Sequence, residues 1–127
     1  MRSKIFATLL AAAAASACTS SDEAPAIVGS WESTLLVAGQ YNQLTVGDDM
    51  TGEARLYFYV DDEPYYADFT VLATEAGDDV FSVRFRCVGN CASYDFAADC
   101  FPASDGSEMT CTAGGAWTSY DFTWRSR

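Results

Sequence analysis

Beyond residue 29 this chain never holds a helical period. It is cut into short runs rich in Val, Phe, Tyr, Trp and Thr, separated by clusters of Gly, Asp and Asn. That alternation of pleat-filling residues with turn formers is the pattern of an all-β domain. The runs fall at 30–37, 41–46, 53–60, 65–75, 80–88, 91–101, 107–113 and 116–125. The punctuation between them is Ala38-Gly39, Gly47-Asp48-Asp49, Asp61-Asp62-Glu63-Pro64, Gly77-Asp78-Asp79, Gly89-Asn90, Asp105-Gly106 and Gly114-Gly115. Asp105-Gly106 reads as a two-residue hairpin turn with positive φ at both positions. Every connection is short, so consecutive strands are expected to pair as an antiparallel meander.

Period-2 alternation assigns the faces. In the fifth run Phe81, Val83, Phe85 and Cys87 point one way and Ser82, Arg84 and Arg86 the other. In the third, Leu56, Phe58 and Val60 point in while Arg55, Tyr57 and Tyr59 point out. In the last, Tyr120, Phe122 and Trp124 share a face opposite Ser119 and Asp121. Eight successive strands with one apolar and one wet face suit an up-and-down sheet that curls into a small barrel and so removes its exposed edges. A β-sandwich is the alternative. Ser-Tyr-Asp-Phe occurs at 93–96 and again at 119–122, which reads as the same strand chemistry used twice rather than a duplication.

The N-terminus carries different information. Met1-Arg2-Ser3-Lys4 precedes an apolar run from Ile5 to Ala15, then Ser16-Ala17-Cys18. A basic start, a short apolar stretch and small residues before a cleavage point are the features of a secretory signal peptide. The stretch falls short of the roughly 20 residues needed to span a bilayer. Ala15-Ser16-Ala17-Cys18 resembles the lipobox of bacterial lipoproteins, with Ala15 in the place of the usual Leu. The resemblance implies cleavage before Cys18 and a lipid on its sulfur; ordinary cleavage at the same bond is the alternative. Cysteine parity favours the lipid. The cysteines are 18, 87, 91, 100 and 111, so an exported chain that pairs four has one left over. The expected organisation is a leader over 1–17, a lipid-anchored flexible tether over 18–28 and an all-β domain over 29–127. Thr19 stands where an Asp would resemble the inner-membrane retention signal of enteric bacteria, so the outer membrane is favoured over the inner as the tether's destination.

Cys100 and Cys111 lie equidistant from Asp105-Gly106, and Cys87 and Cys91 flank Val88-Gly89-Asn90 in the same way. A regular hairpin places such pairs opposite each other, at the spacing a disulfide requires. The favoured pairing is 87–91 with 100–111, one of three connectivities. A zinc site from the same four is the rival; the absence of a C-x-x-C pair or histidine and an oxidising compartment argue against it.

Without residues 1–17 the chain keeps five basic residues against 18 acidic ones, a net charge of −13. Such a surface repels nucleic acid and anionic lipid. With no histidine in the chain and no lysine beyond Lys4, the commonest general base, the Schiff-base nucleophile and the Ser-His-Asp arrangement are missing. Paired carboxylates could hydrolyse glycosides without histidine, but nothing selects a pair. No enzyme and no cofactor are expected.

Gly29-Ser30-Trp31 at the head of the first strand resembles the Gly-x-Trp motif of the lipocalins and other calycins. In that family the tryptophan closes the barrel base against an arginine from beyond the last strand, here Arg125. The resemblance implies a cation–π contact between Trp31 and Arg125 and a barrel interior open to an apolar small molecule through Phe58, Phe69, Phe85, Phe96 and Phe122. The meander itself puts both termini at one end with Asp48, Asp49, Asp78, Asp79 and Asp105, and makes the other end the mouth.

Two functions compete on these grounds. One is a membrane-tethered binder of an apolar small molecule. The other is an envelope structural or protein-interaction module with a filled core, which the short strands and many inward aromatics favour. It would use the aromatics expected outside: Tyr57, Tyr59, Tyr65 and Trp117. Calcium on the closed-end carboxylates is a further alternative.

Overall fold

A computed structural model describes residues 24–117 and 121–127; the leader, Cys18 and Tyr120 lie outside the described residues. Eight strands follow one another: β1 (Gly29–Val37), β2 (Gln40–Val46), β3 (Thr51–Val60), β4 (Glu63–Gly77), β5 (Val80–Cys87), β6 (Phe96–Pro102), β7 (Glu108–Ala113) and β8 (Asp121–Ser126). Each pairs antiparallel with the next, and β8 returns to β1, so the sheet is a closed up-and-down barrel. The β1–β8 seam runs through Trp31↔Ser126, Glu32↔Arg125 and Ser33↔Trp124. Closure rules out the sandwich.

The alternation read from the sequence holds. Leu56, Phe58, Phe81, Val83, Phe85, Phe122 and Trp124 are buried, and Val60 and Cys87 pack partly buried against them. The turns are less regular than expected. In Asp105-Gly106 only Gly106 has positive φ, +74°; Gly106 N–H donates to Ala103 and the connection widens over residues 103–107. Asp105 Oδ1 instead accepts from Ser107 N–H at 3.0 Å, and an Asx-type bond of this kind removes the need for a left-handed aspartate. The tight turns with both positions left-handed are Ala38-Gly39 and Asp61-Asp62.

Two strands begin later than their composition indicates. Residues Ala92–Tyr94 form a 3-10 helix ahead of β6, because the Cys87–Cys91 bridge turns the chain back and Asp95 Oδ1 accepts the Cys87 N–H at 2.6 Å. Gly115–Trp117 form another ahead of β8. At the other end of the chain Ile27 and Val28, which the expected tether included, pack with the core. Ile27 is fully buried in the core, held by a Val28 N–H to Pro25 carbonyl turn, and accepts the Trp31 Nε1–H at 2.9 Å.

Polar side chains enter the interior where ladder pairing fails. β1 carries an irregularity between Glu32 and Leu36, and the β2–β3 ladder stops at Gln43↔Arg55. Beyond that point Ser33 Oγ accepts the Asn42 N–H and donates to the Leu35 carbonyl, both at 2.8 Å, and Asn42 Oδ1 accepts the Tyr57 N–H at 2.8 Å. Both side chains are buried, since each replaces a strand partner. Asn42→Ala strands the Tyr57 N–H and is expected to cost about 1–3 kcal/mol, read as a lower urea midpoint at unchanged slope.

Candidate functional site

The five phenylalanines expected to line a cavity do face inward, and all are buried. Phe69, Phe85, Phe96 and Phe122 pack on one another inside the barrel, and Phe58 joins them through Trp117. Phe85 and Phe96 stack with centroids 4.4 Å apart and planes within 4°. Phe96 continues onto Phe122 at 5.8 Å, and Phe122 onto Trp124 at 6.2 Å. Phe69 meets Phe85 and Phe96 edge-on, the other favoured aromatic geometry.

Trp117, expected outside, is 3 % exposed. The Gly114-Gly115 signal reads as a plain hairpin turn, but the 3-10 helix after it carries Trp117 back over the mouth. There its ring packs edge-on against Phe58 and Phe69, leans on Phe96 at 5.0 Å, and donates Nε1–H to the Tyr94 carbonyl at 3.0 Å. A buried tryptophan usually finds an acceptor for its one donor. The 3-10 helix at residues 92–94 supplies it. No sequence signal marked that acceptor, because Ser93-Tyr94 reads as strand.

At the closed end Gly29, Trp31 and Arg125 do not form the expected contact. Trp31 faces the core and spends its donor on Ile27. Arg125 is aligned with Glu32 across the seam, and neighbouring positions on a strand point to opposite faces. Its guanidinium therefore lies outside, bonded to Glu32 Oε2 by Nε at 2.8 Å and over the Tyr41 ring at 5.0 Å. The partner that closes the base on Trp31 is Ile27.

Both expected disulfides are present, Cys87–Cys91 and Cys100–Cys111. The second joins aligned residues of β6 and β7 inside the barrel, the first ties the β5–β6 connection at the mouth. Each closes a short loop, an entropic stabilisation of about 2–3 kcal/mol.

The closed-end carboxylates do not converge: among the described residues no group of three acids or cysteines is placed to hold a metal ion. Asp49 is used locally by Thr51 and Asp105 by Ser107. The Thr51 hydroxyl and amide hold the Asp49 carboxyl below its ordinary 3.8, the Ser107 amide and hydroxyl do the same for Asp105, and the Arg55 guanidinium for Asp68. A folded-state pKa below the unfolded one means the unfolded chain binds more protons, so these groups stabilise above about pH 4 and lose that contribution as pH falls through their folded values. Asp68→Asn is therefore expected to flatten the fall in melting temperature below about pH 4, measured by thermal scans against the unaltered protein.

The outside of the mouth is aromatic. The β3–β4 hairpin stands beyond the barrel wall with Tyr59, Tyr65 and Tyr66 exposed. Tyr57 and Tyr66 are cross-strand partners 5.9 Å apart. Arg55 lies 4.4 Å from the Tyr66 ring and clamps Asp68 through Nε at 2.7 Å and a second nitrogen at 3.1 Å. Beside the hairpin is an open cleft of about 590 Å³ lined by Phe58, Val60, Tyr65, Ala67, Val88 and Tyr94, among others. Sequence reasoning placed Tyr57, Tyr59 and Tyr65 outside but had no means to see the cleft, which exists because β4 has 15 residues and β5 only 8. No protein-family model, no curated protein and no solved structure matches this chain.

Proposed function

We propose that this protein is an interaction module of the cell envelope, tethered by a lipid on Cys18, that works through the mouth of a filled barrel rather than through its interior. The observation that carries the reading is the continuous aromatic packing from Phe85 through Phe96 and Phe122, closed over by Trp117. Space for an apolar molecule would require that stack to open. By contrast Tyr59, Tyr65 and Tyr66 stay exposed beside a cleft, and Tyr and Arg are the residues protein interfaces favour. The likeness to the lipocalins is then one of architecture, resting on Gly29-x-Trp31 and the closed eight-strand meander, with no ligand carried over from that family. The export signal, the spare Cys18 and the two disulfides support a place outside the cytoplasm.

The test uses a photo-cross-linking amino acid at Tyr59 or Tyr65, with the exposed Thr74 on the barrel side as control. In intact envelopes the mouth positions are expected to give protein adducts and Thr74 none. Saturable uptake of a fluorescent fatty acid by the unaltered protein, with no adduct from the mouth, would overturn the reading in favour of an interior ligand. Cys18→Ser is expected to move the protein to the soluble fraction; its retention in the membrane fraction would remove the anchor.

A further inference from the structure

β4 is paired on both sides for only part of its length. Its ladder with β3 continues to Val60↔Glu63, whereas its ladder with β5 begins at Phe69↔Cys87. The final rung on the β5 side is the Val88 N–H to Asp68 carbonyl bond at 2.9 Å. Residues 63–67 therefore run on with β3 on one side and the cleft on the other. The direction of each backbone group follows from the bonds present. Ala73 N–H donates toward the β3 side, to Met50, and the Asp68 carbonyl faces β5. An antiparallel residue turns both its backbone groups to the same neighbour. Tyr66 N–H, Tyr66 C=O and Pro64 C=O thus look into the cleft, with no β5 residue aligned to them.

The cleft has the two further properties that reception of an extended chain requires. Its floor is apolar: Phe58, Tyr65 and Ala67 lie on the inner-face side of the hairpin, with Tyr94 across from them. Its rim is acidic: the hairpin tip carries Asp61, Asp62 and Glu63. Among the described residues the ion pairs are Arg55–Asp68 and Arg125–Glu32, and neither takes in Asp61, Asp62 or Glu63. The disulfide to Cys91 closes the chain that leaves β5 into a short loop, which holds it off the edge. Pro64, lacking an N–H, limits pairing to a short stretch, as edge prolines do.

We propose that this edge receives an extended, lysine- or arginine-bearing segment of another protein, added as a short strand beside β4. It would exchange two backbone bonds with Tyr66, donate a third to the Pro64 carbonyl, set an apolar side chain against Phe58, Tyr65 and Tyr94, and bring its cations to Asp61, Asp62 and Glu63. This rests on the mouth being the working surface and names the partner's chemistry. Charge argues against a second copy, since this chain has no lysine beyond Lys4 and an excess of 11 acids over bases. Main-chain bonds supply the affinity in strand addition and the alternate side chains the specificity.

The test titrates the 15N-labelled protein with a synthetic octapeptide of alternating lysine and valine. The control peptides are one N-methylated at the residues that would donate and one with glutamate for lysine. Saturable binding with the Tyr66 amide among the most shifted signals is expected. A tenfold or greater loss is expected for the N-methylated peptide, for the glutamate peptide, and for a variant combining Asp61→Asn, Asp62→Asn and Glu63→Gln. Tyr66→Pro removes the cleft-facing N–H together with the ring that Arg55 and Tyr57 touch, so it is compared with Tyr66→Ala, which removes the ring alone; the proline variant is expected to bind more weakly than the alanine variant, with the β-sheet circular dichroism of both unchanged. Absence of binding, or binding indifferent to N-methylation and no weaker in Tyr66→Pro than in Tyr66→Ala, would overturn strand addition. Adducts at Tyr59 or Tyr65 from intact envelopes alongside that result would leave the interaction module standing and the edge refuted. No adducts and no peptide binding would refute both.

Discussion

Phe96→Ala is expected to lower the stability of the fold by about 3–5 kcal/mol, the usual cost of removing a buried aromatic ring. Phe96 is the residue most of the interior leans on: it stacks with Phe85 and Phe122, meets Phe69 edge-on and supports Trp117. Against a total stability of about 5–15 kcal/mol the loss is a large fraction. The same variant tests whether the interior is filled. A truncated ring in an apolar, well-packed site leaves a dry hole that accepts a benzene-sized molecule. Benzene is therefore expected to raise the melting temperature of Phe96→Ala and to leave that of the unaltered protein where it was. A stabilisation of the unaltered protein by benzene would mean that the barrel already holds usable space.

Gly52→Ala is expected to be as damaging, through backbone rather than packing. β2 and β3 cross so closely after the Gly47–Met50 turn that a Cβ on Gly52 would overlap the Thr45 carbonyl oxygen and lie 2.8 Å from its carbonyl carbon. Gly52 is the partner of Val46, the last rung of that ladder, and neither atom it would meet can swing aside as a side-chain end could. Relief requires the two strands to part near the closed end, where Leu44 and Val46 are fully buried. Overpacking ordinarily costs about 1–3 kcal/mol; a collision with main chain is expected to lie at or above the upper end. The measurement is the denaturation midpoint of Gly52→Ala beside that of Gly114→Ala, whose Cβ would meet its nearest neighbour, the Ala97 carbonyl oxygen, at 3.9 Å.

The parts of this structure legible in the sequence are those governed by short-range periodicity. Phe81, Val83 and Phe85 alternate with Ser82, Arg84 and Arg86, and no other conformation buries one set and wets the other. Counting outward from one turn sets Cys100 opposite Cys111, and the register holds even though the turn itself is longer than a two-residue hairpin. Elsewhere a partner distant in sequence decides the outcome. Trp117 turns inward because Tyr94 offers a carbonyl 23 residues away. Arg125 leaves Trp31 because the seam aligns it with Glu32. Ile27 is core because the barrel base needs a plug and Trp31 Nε1 an acceptor. The cleft is legible only from unequal strand lengths, and strand ends are what composition defines least well.

Closure of the barrel has a kinetic consequence. The seam joins β1 to β8, and its Glu32–Arg125 pair spans 93 positions of sequence, whereas every other ladder joins neighbours in the chain. Hairpins can form as soon as their two strands exist, but the last ladder waits for β8, the last of the eight strands to be made. Long-range pairing of this kind is the slow step of β folds. Until then β1 and β8 are open edges on every nascent molecule, ready to pair with another copy. An excess of 11 acids over bases sets unfinished chains of one charge sign against each other during that interval, a service that ends when the ring is sealed.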